Sequence, residues 1–158
     1  MAETVDVVKF ELGGEYYALD IHLAREIVEM IPITPVPRAP SHIAGVINLR
    51  GEITNIIDLA TLLNVQTRSE TENRKIIVLV SEATGGSNLG IIVDDVSAVM
   101  QVTEADVEKM DAGLCREAYV KGIIKTRENK NDETEATGLV IWIDVAKVLE
   151  DLTGLHGA

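Results

Sequence analysis

Gly45-Val46-Ile47-Asn48-Leu49-Arg50-Gly51-Glu52-Ile53-Thr54-Asn55-Ile56-Ile57-Asp58 reads as two strands joined by a tight turn. The Arg50-Gly51 pair marks the turn, because glycine supplies the positive φ that a two-residue hairpin loop requires. Asp58 stands where its carboxylate can accept from the first free amides of a short helix, Leu59 to Leu63. The phrase then recurs. Ile57-Asp58-Leu59-Ala60-Thr61-Leu62-Leu63 parallels Ile143-Asp144-Val145-Ala146-Lys147-Val148-Leu149, and Gly45-Val46-Ile47 with Arg50 parallels Gly122-Ile123-Ile124 with Arg127. The offsets are 86 and 77, and the difference fits a longer hairpin loop in the second copy, where Glu128 to Thr137 is polar. An internal repeat of this kind implies two similar small β modules.

Outward from this stretch, Val8, Phe10 and Leu12 alternate with Lys9 and Glu11, and Tyr17, Leu19 and Ile21 alternate beyond Gly13-Gly14. That is the pattern of a β-hairpin with one buried face. Leu23, Ala24, Ile27 and Val28 follow at helical spacing, so a short helix capped by Asp20 is expected there. Pro32, Pro35, Pro37 and Pro40 forbid a helix in the next segment and favour an extended crossing, with Ile31, Ile33 and Val36 packing against the fold. Ser41 is expected to cap one helical turn, His42 to Ala44. Asn64 to Asn73 reads as an exposed loop. Strands are expected at Lys75 to Ser81, Leu89 to Val93, Tyr119 to Lys125 and Leu139 to Ile143, with a Gly-Gly turn within Thr84 to Asn88. Thr103 with Asp106 can cap a helical turn, and Asp144 a terminal helix.

Composition supports a β-rich fold of one or two small units. The chain has 158 residues, 46% of them hydrophobic, and 35 are Ile or Val. β-Branched side chains favour pleated, half-buried surfaces. With 14 basic and 26 acidic residues the formal net charge is −12, which repels a phosphate backbone. Five aromatic residues offer little stacking for bases. Nucleic acid and an anionic membrane are therefore poor candidate partners. No apolar run exceeds the five residues of Ile76 to Val80, against the roughly 20 a membrane-spanning helix needs. The first residues show no signal-peptide pattern, and Cys115 is the single cysteine, so a cytoplasmic protein without an intrachain disulfide is expected.

Catalytic chemistry is not assembled. His22, His42 and His156 stand far apart, and Cys115 has no neighbouring ligand, so neither a metal nor another cofactor is expected. Asp94-Asp95 after a strand could hold Mg²⁺ beside a small phosphorylated ligand, but no glycine-rich loop with a lysine precedes them. Cys115 reads as a bystander thiol and Trp142 as a half-buried structural residue. Nucleophile, base and orienting group are not found together, so the chain is not expected to be an enzyme. The Arg50-Gly51 turn is the telling feature: a cation on a tight turn of a very acidic protein, close to a proline-rich crossing.

Several segments, in order, resemble the CheW-like domains. They are Val8 to Ile21, Arg25-Glu26-Ile27, Gly45 to Gly51, Ile57-Asp58-Leu59, Gly90 to Val96 and Lys121 to Lys125, and together they run through residues 5–152. The resemblance implies a mainly β fold of two small SH3-like five-stranded barrels with short helices. The first barrel would take roughly 15–75, the second 5–14 plus 76–145, and a C-terminal helix 145–155. It implies a non-enzymatic adaptor of chemotaxis signal transduction. Its partners would be the cytoplasmic tip of a chemoreceptor, docked in a groove between the barrels, and a CheA-type histidine kinase. It implies a cytoplasmic protein recruited to membrane-associated receptor arrays. On this pattern Glu26, Ile27, Gly45, Asn48, Arg50 and Gly51 fall where receptor contact is expected, and Val107, Glu108 and Met110 where the kinase is expected. A scaffold of a related two-component pathway that is not chemotactic is the nearest alternative.

Overall fold

The computed structural model describes residues 4–66, 74–80, 86, 88–109, 119–127 and 137–154. Its elements in chain order are β1 (Thr4–Leu12), β2 (Glu15–Asp20), β3 (Ala24–Glu29), β4 (Ile43–Leu49), β5 (Glu52–Asp58) and α1 (Leu59–Leu63). They continue with β6 (Lys75–Leu79), β7 (Leu89–Val93), β8 (Asp95–Thr103), β9 (Val107–Glu108), β10 (Val120–Arg127), β11 (Thr137–Ile143) and α2 (Val145–Gly154). The chain forms two compact units. One holds residues 10–14 and 22–97, the other residues 1–9, 15–21 and 98–158.

The first of these is built on a five-stranded sheet in the order β3-β6-β7-β5-β4. Ile47, Ile56, Ile76, Val78 and Ile92 form its core, with Val28, Ile31 and Ile33 packed on them. Ile31 and Ile33 belong to the proline-rich segment, where Thr34 makes an isolated antiparallel bridge to Val46 on β4. The segment then turns at Pro37-Arg38, and Val36, expected to pack, is exposed instead. The second unit is built on a six-stranded sheet in the order β8-β1-β2-β11-β10-β9, and its core is Val7, Ala18, Val102, Ile124 and Val140. Phe10, Leu19, Ile57, Val93 and Ile143 are all buried.

The repeat holds over the five strands that the two sheets share. β4 and β5 form an antiparallel hairpin, as β10 and β11 do, and β5 pairs in parallel with β7 as β11 pairs with β2. The register slips at the equivalent glycine of each copy, between Ile43 and Gly45 and between Val120 and Gly122. Asp58 and Asp144 repeat their roles too. Their amides donate to His42 and Tyr119 carbonyls, each at 2.8 Å, and their carboxylates accept from the amides of Thr61 and Lys147. The β6–β7 pair follows α1 in one copy, whereas its counterpart β1–β2 opens the chain in the other. The two units are therefore circular permutants of one plan.

The structure corrects five further expectations. Leu23 to Val28 is not a helix: a 3-10 turn over Ile21–Leu23 leads into β3, whose side chains alternate between half-buried and exposed as it pairs with β6. β-Branched Ile27 and Val28 satisfy a strand equally well, and pairing with Ile77 and Ile76 decides. His42 to Ala44 is not a helical turn either, because Ile43 already pairs with Ile57. The second unit has six strands rather than five, since Val107–Glu108 adds a short strand where the first unit has only the Thr34 bridge. Both sheets run open in strand order and are not closed into barrels. Finally, β6 and β7 belong with β3–β5 and not with the second barrel, because β7 pairs with β5 and β6 with β3.

Asp94-Asp95 is engaged in the fold. Asp94 is only 4% exposed; its carboxylate accepts from the Gly13 amide at 2.8 Å and lies 3.8 Å from Arg74, while its own amide donates to Glu11. Asp95 is exposed and pairs with Lys75 at 3.7 Å. The two carboxylates therefore serve different partners. Among the described residues no group of three metal-ligating side chains comes together. No helix among them is long and apolar enough to cross a membrane.

Candidate functional site

The Arg50-Gly51 turn is a two-residue hairpin loop between Leu49 and Glu52. Both residues have positive φ, +52° at Arg50 and +88° at Gly51, the conformation of the hairpin turn that follows the twist of its strands. Glycine takes that conformation freely, but for arginine it is an uncommon one held by its surroundings. Asn48 does part of the holding, since its side-chain oxygen accepts from the Gly51 amide at 2.8 Å. The turn is thereby fixed, with the Arg50 side chain 62% exposed at its tip.

Arg50 reaches Glu26. Its guanidinium donates to the Glu26 carboxylate in a charge-assisted hydrogen bond. Glu26 sits on β3 and Arg50 at the end of β4, the two outer strands of the five-stranded sheet. The open sheet thus curls until a side chain from one edge meets a side chain from the other. A third residue joins them: Arg25 Nε lies 3.8 Å from the same Glu26 oxygen. The hydrogen bond from Arg50 holds the Glu26 carboxyl below the ordinary glutamate range, against an opposing cost of burial and with lesser help from the charges of Arg50 and Arg25. The same bond raises Arg50. The pair is therefore fully charged at neutral pH, and its contribution fades only as pH falls through the lowered Glu26 value.

The structure brings Glu26, Asn48, Arg50 and Gly51 together. Ile27 points to solvent from β3 and is 43% exposed. Gly45 lies in the β4 irregularity, against the backbone of Thr34. Val107 and Glu108 lie in the other unit. Val107 packs against its core, and exposed Glu108 stands 3.8 Å from Lys125. Met110, Cys115, His156 and residues 128–136 of the polar loop fall outside the described residues, as does most of the Thr84 to Asn88 turn.

Two groupings escaped the sequence. Arg25 is one; its place beside Glu26 depends on a strand irregularity that no periodicity reveals. The other is Trp142, whose indole N–H donates to Asp20 at 2.7 Å, while Lys121 stands 4.7 Å over the ring and 3.3 Å from Asp20. At the equivalent positions the other unit places Ala44 and Ile56. Asp20→Ala leaves the indole and the ammonium without their acceptor, at a cost of about 1–3 kcal/mol. Thermal unfolding should show that loss, with a shift in emission of Trp142, the chain's single tryptophan. An unchanged melting point and spectrum would show that water replaces the carboxylate at no cost.

A mainly β chain of two permuted modules, with an arginine presented on a fixed turn, has the form of a protein-docking scaffold. The chain belongs to the CheW-like domain family, whose model matches residues 6–153. A chemotaxis protein CheW of Thermotoga maritima is 28% identical over 152 residues, covering 96% of this chain and 92% of its own. One of Treponema pallidum is 30% identical over 150 residues, covering 92% and 82%. The crystal structure of the scaffolding protein TtCheW from Thermoanaerobacter tengcongensis superposes with a TM-score of 0.71 at 32% identity, covering 89% of this chain and 84% of that one.

Proposed function

We propose that the chain is a non-enzymatic chemotaxis adaptor that couples the cytoplasmic tips of chemoreceptors to a CheA-type histidine kinase. Membership of the CheW-like family over nearly the whole chain is the observation that carries this reading. Relatives called chemotaxis protein CheW and a solved scaffolding protein support it. The adaptor works by shape and holds no cofactor. Arg50 and Gly51 at the turn, with Asn48 beneath and Glu26, Ile27 and Gly45 nearby in the sheet, serve the receptor. Val107, Glu108 and Met110 serve the kinase. The protein is cytoplasmic and is recruited to receptor arrays at the membrane.

A pull-down from cell extract with the full chain as bait tests the reading. Recovery of a CheA-type kinase together with a methyl-accepting receptor is the expected result. A kinase recovered with a membrane protein of another class would move the chain to a different two-component pathway, and recovery of neither would overturn the coupling role.

A further inference from the structure

Glu26 is shared by two guanidinium groups, and the irregularity in β3 is what allows it. In the pairing of β3 with β6, Ala24 stands opposite Leu79 and Glu26 opposite Val78, so Arg25 is an extra residue in the strand. Adjacent residues of a regular strand point to opposite faces. A bulge re-aims the side chain at the extra position, and here Arg25 Nε comes within 3.8 Å of the Glu26 oxygen that Arg50 also holds. Two cations thus stand around one carboxylate, in a protein of net charge −12. The Arg25 and Arg50 side chains are 45% and 62% exposed, while Glu26 is the least exposed of the three at 25%.

Resting on the proposed receptor-docking role of Arg50, we infer that Glu26 is a stand-in ligand, which yields Arg50 to a carboxylate of the receptor helix while Arg25 takes up the displaced Glu26. The partner group must be an acidic side chain, because it replaces one on the same guanidinium. An exposed ion pair adds little to stability, so exchanging one carboxylate for another on Arg50 is nearly neutral. What would oppose the exchange is the repulsion between the freed Glu26 and the incoming acid. Arg25 offsets that repulsion from where it stands, since its Nε lies 3.8 Å from the leaving oxygen. Arg25 is therefore a positioning residue for docking, acting through Glu26.

A double-mutant cycle on the full chain, titrated against a receptor-tip fragment, tests this directly. Glu26→Gln removes the competing charge and should tighten binding by about fivefold, a usual scale for a charge pair at an interface. Arg25→Gln should weaken binding about fivefold in the wild-type background and less than twofold beside Glu26→Gln, the coupling expected of residues that act as a unit. Arg25→Lys should restore part of the loss. Glu26→Gln binding more weakly than wild type would overturn the exchange, because Glu26 would then be a direct contact or the brace for Arg50. An Arg25→Gln effect that persists at full size beside Glu26→Gln would overturn it too, since Arg25 would itself touch the partner. In both cases Arg50→Ala would still lose receptor binding, so the docking reading would stand. Unchanged binding by Arg50→Ala would remove both.

Discussion

Gly45→Ala is expected to cost this protein about 3 kcal/mol or more of stability, the range of substitutions that force backbone strain and overpacking together. Gly45 has a φ of +145°, which side chains rarely adopt. A Cβ there would stand 2.2 Å from the Thr34 carbonyl oxygen and 2.7 Å from Ile33 Cγ2. Thr34 cannot retreat cheaply, because its amide and carbonyl both bond to Val46, each at 2.9 Å. Gly122 gives the contrast within the repeat. Its Cβ would meet a side-chain methyl, Val107 Cγ1, at 2.7 Å and lie 3.2 Å from the Glu108 oxygen. Relaxation of that methyl should hold the cost of Gly122→Ala to about 1–2 kcal/mol. Denaturant unfolding of the two variants would rank them, and a Gly45→Ala midpoint equal to wild type would show that the 33–34 segment gives way freely. The ranking also bears on function. Any loss of receptor binding in a Gly45 variant reports first on this packing.

Hairpins and capped helices were readable because each rests on a few neighbouring residues. Asp58 before Leu59–Leu63 and Asp144 before Val145 act as the sequence suggests, through local bonds to amides three residues on. The Arg50-Gly51 turn is readable for the same reason. β3 is not legible in the sequence because Leu23, Ala24, Ile27 and Val28 fit both a helical and a pleated spacing, and Ile76 and Ile77 on a strand about 50 residues away decide between them. Segment order hid the allocation of β6 and β7. The parallel pairing of β7 with β5 is non-local, and a permuted repeat places equivalent strands on opposite sides of the helix that ends each copy.

The candidate site divides in the same way. Arg50, Gly51 and Asn48 lie within four residues, so a sequence motif captures them as a unit. Glu26 was reached through a second motif of the same family. What could not be read was that Glu26 bonds to Arg50, because the contact forms only when the outer strands β3 and β4 of an open sheet curl towards each other. Arg25 needed more still, a one-residue bulge whose position depends on the register with β6.

Arg50→Ala should fold as the wild type does and lose receptor affinity by roughly thirtyfold, the scale of a central interface arginine. The fold should survive because the guanidinium projects into solvent and the turn is secured from beneath by Asn48 on the Gly51 amide. Alanine inherits the positive φ of position 50, so Arg50→Gly is the cleaner variant: it removes the side chain and relieves the backbone together. It should match or exceed wild-type stability and bind the receptor as poorly as Arg50→Ala does. Arg50→Lys should recover only part of the affinity, since an ammonium keeps the charge but lacks the planar fork that grips a carboxylate. Kinase affinity should stay within about twofold of wild type in all three, because Val107 and Glu108 belong to the other unit and share no partner with Arg50 among the described residues, and additivity holds for independent sites. Isothermal titration of each variant against receptor-tip and kinase fragments separates the two interfaces. If folded Arg50→Gly binds the receptor as tightly as wild type, the turn serves only to close the β4–β5 hairpin, and the receptor docks on another surface.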